Sequence, residues 1–227
     1  MSKKLTLLVA GALTALALAA LPAIASANTF TATCSGGAAN CTGTIESTGH
    51  ATLEESSGLS ITCTTTTGTT TQESGKSTGT AEFVFGGCTE SVLKTQCNST
   101  GTSGQIKTNK LNTDLIYLEP NKTTPGVLLT GVNVTFSCPV VGLKKTVTGN
   151  VIGDIETPAC GTASASHPVQ FEPGATTGSQ KWTTITTAGT IFDLITNNDA
   201  GGTYATSSQT GTGHIKYPAG KTVTLNC

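Results

Sequence analysis

The chain has 227 residues, of which 11% are charged and ten are aromatic. All twelve basic residues are lysines, and 13 acidic residues bring the formal net charge to −1. Binding nucleic acid through charge needs clustered Lys and Arg, and the forked Arg side chain is the group that reads phosphates and bases. The composition therefore excludes a nucleic-acid partner held by electrostatics.

Residues 1–27 have the three-part pattern of a secretory signal peptide. Two lysines lie near the start, an apolar run covers 5–21, and Ala25-Ser26-Ala27 offers the small residues that a signal peptidase requires. The run is short for a bilayer span and ends in a proline, which argues against a membrane anchor. We therefore expect cleavage before Asn28, a single secreted β-rich domain over 28–227, and no membrane insertion after cleavage.

The composition of 28–227 predicts an all-β protein. Leu, Ile, Val and Phe supply only 38 of these 200 residues, so little apolar surface is available for a core. Thr supplies 45, and its branched side chain favours extended backbone. Short alternating segments separated by Gly, Pro and Asn predict an antiparallel β-sandwich or a barrel-like sheet, stapled by disulfides.

Alternation of apolar and polar residues locates the strands. In 80–85 it places Phe83 and Phe85 on one face, and in 133–138 it turns Val134, Phe136 and Cys138 inward. In chain order the predicted strands are 59–64, 80–85, 115–119, 133–138, 146–156, 168–172, 181–186, 190–196, 213–217 and 221–227. The polar stretches 64–80 and 207–212 are predicted to be exposed loops.

The eight cysteines all follow the expected cleavage site, and an even number in an exported chain predicts four disulfides. They are Cys34, Cys41, Cys63, Cys88, Cys97, Cys138, Cys160 and Cys227. Eight cysteines allow 105 pairings. Cys34 with Cys41 and Cys88 with Cys97 are the local candidates, because each pair closes a small polar loop.

A weak internal repeat, which we call the echo motif, predicts a different pairing of the cysteines. Two segments each run strand, Cys, loop, strand, Cys, which would join Cys63 to Cys88 and Cys138 to Cys160 if the motif is duplicated. A metal site is the rival use of cysteine, but the chain has no Cys-x-x-Cys pair and its histidines are isolated. We predict no metal and no other cofactor.

Catalytic residues are not evident. Asp154 and Glu156 lie two apart on a predicted strand, which would place both carboxylates on one face about 7 Å apart. Such a pair could serve glycoside hydrolysis, with Trp182 as a sugar-stacking residue. A solvent-facing strand end is the favoured interpretation of the two acids, because the fuller alternating acidic pattern is absent and Trp182 is the only tryptophan.

The histidines offer no general base either. His50, His167 and His214 each lie among Gly, Ser, Thr or Pro, which favours exposed positions, and the chain has no Gly-x-Ser-x-Gly nucleophile elbow. Thr-x-Thr stretches occur at 29–34 and 64–71, and ice-binding solenoids contain rows of threonine of this kind. Those proteins repeat at a fixed short period, and this chain does not.

Four segments carry a general likeness to a group of known proteins. They are Thr-Ala-Glu-Phe (80–83), Gly-Cys-Thr (87–89), Gly-Val-Leu-Leu (126–129) and Thr-Gly-Asn-Val-Ile-Gly-Asp-Ile (148–155). With the signal segment, the chain resembles secreted, threonine-rich β-proteins of uncharacterised function from high-GC Gram-positive bacteria. That resemblance implies no catalytic residues.

The expected function is that of a secreted, non-catalytic protein, either structural or binding, at the cell surface or in the medium. Its partner would be a surface glycan or a protein. A secreted carbohydrate-binding module or glycoside hydrolase is the alternative, and an ice-binding protein is the third hypothesis.

Overall fold

The computed structural model describes residues 28–119, 123–156, 160–183, 193–198 and 204–227, so the predicted signal segment lies outside it. The described residues form strands and two short 3₁₀ helices, Ser35–Gly37 and Pro139–Val141. The strands are β1 (Thr31–Cys34), β2 (Asn40–Ser47), β3 (Ala51–Glu55), β4 (Ser60–Cys63), β5 (Thr65–Glu73), β6 (Thr78–Gly86), β7 (Thr89–Glu90), β8 (Gln105–Lys107), β9 (Leu111–Tyr117), β10 (Pro125–Cys138), β11 (Leu143–Ile155), β12 (Ala163–Ser164), β13 (Ser166–Phe171), β14 (Leu194–Asn198), β15 (Tyr204–Lys216) and β16 (Val223–Asn226). No described helix is long and apolar enough to cross a membrane.

Eight strands form a closed ring. The hydrogen-bonded order is β13, β11, β10, β9, β6, β5, β2 and β15, and β15 pairs back with β13. Every ladder in this ring is antiparallel, which confirms the all-β antiparallel prediction. Closure removes the unpaired edges that an open sheet would expose. Of the two architectures that the sequence left open, the chain forms the barrel.

The remaining longer strands extend the same wall. β3 continues the path of β2 along β15. β4 continues the path of β5, because β4 pairs with β7 and β5 pairs with β6 in one continuous register. β8 and β9 follow one another along β6 in the same way. β13 and β14 pair with opposite halves of β11 and of β15, so they follow the same strand path in the wall.

Threonine builds part of this wall, because its branched side chain is suited to extended backbone. In β5, Thr66, Thr70 and Gln72 are buried on the inner face and alternate with more exposed residues. The Thr70 hydroxyl donates to the carbonyl of Thr80 at 3.0 Å, which satisfies an inward polar group.

Both predicted exposed loops are therefore wrong. Residues 64–80 contain β5 and the start of β6, and 207–212 lie within β15. The predicted strand 181–186 is absent over 181–183, and its other residues lie outside the described ranges. The predicted strand 190–196 corresponds to β14, which begins at Leu194.

A small sheet of β1, β16 and β12 covers one end of the barrel. The turn between β5 and β6 holds β1 there, since the amide of Gly75 donates to the carbonyl of Ala32 at 2.7 Å. Ala32, Val223 and Leu225 of this sheet are buried and belong to the main core. We call this the covered end.

The eight cysteines form four disulfides, as predicted, and no cysteine is free. The pairs are Cys34–Cys41, Cys63–Cys88, Cys97–Cys138 and Cys160–Cys227. The local pair Cys34–Cys41 is confirmed, whereas the pairing of Cys88 with Cys97 is wrong. The echo motif is right for Cys63–Cys88 and wrong for Cys138–Cys160, because the strands that approach one another are set by the barrel and not by sequence spacing.

A buried ion pair lies near the opposite end. Lys145 Nζ on β11 is 2.9 Å from Glu55 Oε2 at the end of β3, and the side chains are 6% and 3% exposed. The hydroxyls of Thr196 on β14 and Ser207 on β15 form a buried hydrogen bond. These two strands lie between β11, which carries Lys145, and β3, which carries Glu55. This end of the barrel interior is therefore polar, whereas the middle is apolar.

Candidate functional site

An internal cavity of about 170 Å³ occupies the middle of the barrel. Side chains of every strand in the ring line it, and the described lining residues include no Asp, Glu or Lys. The larger apolar contributors are Leu111, Leu115, Leu129, Phe136, Val151 and Ile155. The result is an uncharged, largely apolar chamber.

The cavity follows from closing eight strands around small side chains. An eight-stranded barrel is just wide enough to be filled by its own side chains or to hold one small ligand. Here Ala51, Ala81, Thr66 and Thr70 occupy inward positions that larger residues could fill. Protein interiors rarely leave voids much larger than a water molecule, and a cavity of about 150 Å³ accepts a benzene ring. This cavity therefore has room for one ring-sized molecule.

Among the described lining residues, two carry a buried polar atom without a hydrogen-bond partner. These atoms are Oγ1 of Thr66 and Nδ1 of His167. Buried polar atoms are normally paired, so an unpaired one in a cavity wall is a position where a ligand can bond.

His167 is 3% exposed, so the prediction that it lies at the surface is wrong. It alternates with Val169 on β13, and both side chains point into the barrel. Its Nε2 lies 3.1 Å from the carbonyl oxygen of Val223. Burial lowers the pKa of His167, and the bond to Val223 only partly opposes this effect.

Tyr217 lies beside His167 in the lining, with ring centroids 5.9 Å apart in an edge-on arrangement. Burial raises the pKa of Tyr217 to about 12, so the phenol stays protonated at neutral pH. Both rings are therefore uncharged under ordinary conditions.

The cavity reaches the surface at the break between β2 and β3. Gly49 and His50 lie in this break, are exposed, and line the cavity. A side chain added at Gly49 would meet no atom within 4 Å, so the space there is open. We take this break as the mouth of the cavity.

The predicted acidic pair lies on the outer wall and not in the cavity. Asp154 is largely buried, and Glu156 is exposed just beyond the end of β11. The carboxylate that interacts with Asp154 is that of Glu172, and Lys181 forms ion pairs with both. Burial, and after it the charge of Glu172, raises the pKa of Asp154 to about 6, although Lys181 opposes the shift.

Trp182 packs against the outer wall next to this group. Its neighbours are a second apolar cluster of Ile116, Leu118, Leu128 and Ile152, and Lys181 Nζ lies 5.4 Å from its ring centroid. The indole therefore covers apolar surface that the barrel leaves outside. Sequence reasoning connected Asp154 with Trp182 but missed Glu172, because only the pairing of β13 with β11 brings that residue near.

Within the described ranges, no group of three His, Cys, Asp or Glu side chains is placed to hold a metal ion. Comparison of the chain with protein-family models, with curated proteins and with solved structures gives no match. The proposed function therefore rests on the cavity and its lining residues.

Proposed function

We propose that this protein is exported and acts, without catalysis, as a binding protein that holds one small apolar molecule inside its barrel. The carrying observation is the uncharged cavity of about 170 Å³ that opens at Gly49 and His50. A chain with so few large apolar residues gains stability from every one that it packs, so a hollow core is a costly feature unless a ligand uses it.

Export is supported by two features. Four disulfides are typical of a protein that folds in an oxidising compartment, and residues 1–27 have the pattern of a signal peptide. Mass spectrometry of the protein recovered from culture medium should find an N-terminus at Asn28. Recovered protein that still carries residues 1–27 would contradict export by this route.

Binding is tested with benzene and toluene as probes, using calorimetry and NMR. We expect saturable binding of one molecule per chain. Ala81→Leu fills part of the cavity from its wall and should weaken binding about tenfold or more, because the ligand and the new side chain compete for the same space. Ala39→Leu makes the same change at an exposed position and should leave binding unchanged. Absence of saturable binding in the parent protein would refute the proposal.

The outer wall supports the carbohydrate alternative less well. Trp182 faces the apolar cluster on the barrel wall, which reduces the ring surface open to a sugar. The ice-binding hypothesis has one observation in its favour, since Thr42 and Thr44 of β2 lie opposite Thr71 and Thr69 of β5. Twisted barrel walls make poor flat arrays. A glycan array and an ice-growth assay with the parent protein test these two alternatives directly.

A further inference from the structure

The cavity wall is largely apolar, and one of the polar residues in its lining is His167, the second residue of β13. His167 lies on β13 between the small sheet of the covered end and the chamber, with Val223 on one side and Tyr217 on the other. The role of a buried histidine depends on which ring nitrogen carries the proton.

The contact with Val223 decides that question. A carbonyl oxygen can only accept a hydrogen bond, so Nε2 of His167 carries the proton and donates it over 3.1 Å. Because burial disfavours the charged form, the ring is neutral and Nδ1 keeps its lone pair. Nδ1 has no partner among the described residues, so it is a buried hydrogen-bond acceptor without a donor.

We propose that the cavity selects an uncharged, ring-sized apolar molecule with one hydroxyl group, and that this hydroxyl donates a hydrogen bond to Nδ1 of His167. This inference rests on the proposed binding function and adds the chemical class of the ligand. The hydroxyl satisfies the unpaired acceptor, and the ring of the ligand fills the apolar space around it.

Charge complementarity narrows the class further. The described lining offers no lysine, and the nearby Lys145 is already paired with Glu55 beyond the lining. A carboxylate would therefore lose its hydration without gaining a counter-ion, which is strongly unfavourable. An ammonium group would meet the same difficulty, because the described lining has no Asp or Glu.

Toluene and p-cresol provide a matched pair of probes that differ by one hydroxyl. In an apolar cavity without an acceptor, p-cresol should bind roughly tenfold more weakly than toluene, because its hydroxyl loses water and gains nothing. With His167 as acceptor, p-cresol should bind at least as tightly as toluene. Benzoate serves as the charged probe and should not bind measurably.

His167→Phe removes the acceptor and keeps an aromatic ring. We expect it to retain toluene binding and to weaken p-cresol roughly tenfold relative to toluene. Thr66→Val is the matched control, since it removes the other unpaired polar atom of the lining, and it should leave the preference for p-cresol unchanged. The ¹⁵N resonance of His167 Nδ1 in the parent protein should shift with p-cresol and not with toluene, which tests the contact even if a variant fails to fold.

The outcomes separate the two proposals. Binding of toluene with a clear preference over p-cresol would overturn the assignment of the ligand class and leave the binding function intact. A preference for p-cresol that is lost in Thr66→Val but kept in His167→Phe would overturn the role of His167. If neither probe binds, both the binding function and this inference fail.

Discussion

The buried ion pair between Glu55 and Lys145 gives the sharpest test of how the barrel interior is organised. Leu53 and Val147 line the cavity, and Glu55 and Lys145 are the next inward residues on the same two strands. The pair therefore closes the apolar chamber at the end opposite the covered end. Removing one partner leaves the other as an uncompensated charge in a site that is only 6% or 3% exposed.

The expected magnitude follows from this burial. Lys145→Met and Glu55→Leu should each lower the free energy of unfolding by about 3–5 kcal/mol, because removing one partner of a buried pair leaves an uncompensated buried charge. The double variant should recover most of this loss or exceed the parent, since two apolar residues of similar volume need no desolvation of charge. Denaturant titration with the disulfides intact measures each value from the midpoint and the slope.

An exposed pair provides the control. Lys216 and Glu46 also form an ion pair between neighbouring strands, but their side chains are 51% and 53% exposed. Lys216→Met should cost less than about 1 kcal/mol, because water already screens that pair. If the costs of Lys145→Met and Glu55→Leu simply add in the double variant, the two charges do not depend on one another and the reasoning is refuted.

Three further predictions concern pH and covalent links. Asp154 has a pKa of about 6 in the folded protein against an ordinary 3.8, mainly through burial, so its contribution to stability falls as pH rises through this window. Asp154→Asn should therefore stabilise the protein at pH 7 by at most about 3 kcal/mol and give no gain below pH 4, and an unchanged pH profile would contradict this. The Glu90 carboxylate accepts backbone bonds from Val92, Leu93 and Thr95, and chiefly the Thr95 bond lowers its pKa, so acidification through that lowered pKa should loosen this loop. Glu90→Gln should speed amide exchange of Val92 and Leu93 at neutral pH, and equal exchange in parent and variant would refute the role. Replacing the disulfide that spans 67 residues at the C-terminus by two serines should cost about 4 kcal/mol, against about 2 for the one that spans seven, and similar costs would show that loop length does not control the effect.

Alternation along the chain was enough to predict several inward faces. Phe83 and Phe85 do lie on one face, with ring centroids 6.1 Å apart, and Val134, Phe136 and Cys138 are buried as expected. This works because successive side chains of a strand point to opposite sides whatever the strand pairs with. The same rule applied to Thr-rich segments would have located β5, where polarity alone suggested a loop.

Contacts between strands that are distant in sequence could not be predicted from the sequence. Asp154 meets Glu172 because β13 pairs with β11, and Cys97 meets Cys138 because the loop before β8 lies against the end of β10. His167 has the sequence surroundings of a surface residue, and only the small sheet across the covered end buries it against Val223. Each contact depends on which strands are neighbours, and local composition does not encode that.

The sequence by itself determined an antiparallel all-β chain with four disulfides, because β-branched residues, alternation and an even number of cysteines act locally or by count. Only the tertiary structure decided that the sheet closes into a barrel and that its interior is hollow. A sandwich and a barrel share the same alternating pattern. The cavity exists because eight strands close into a ring and their inward side chains are too small to fill its interior.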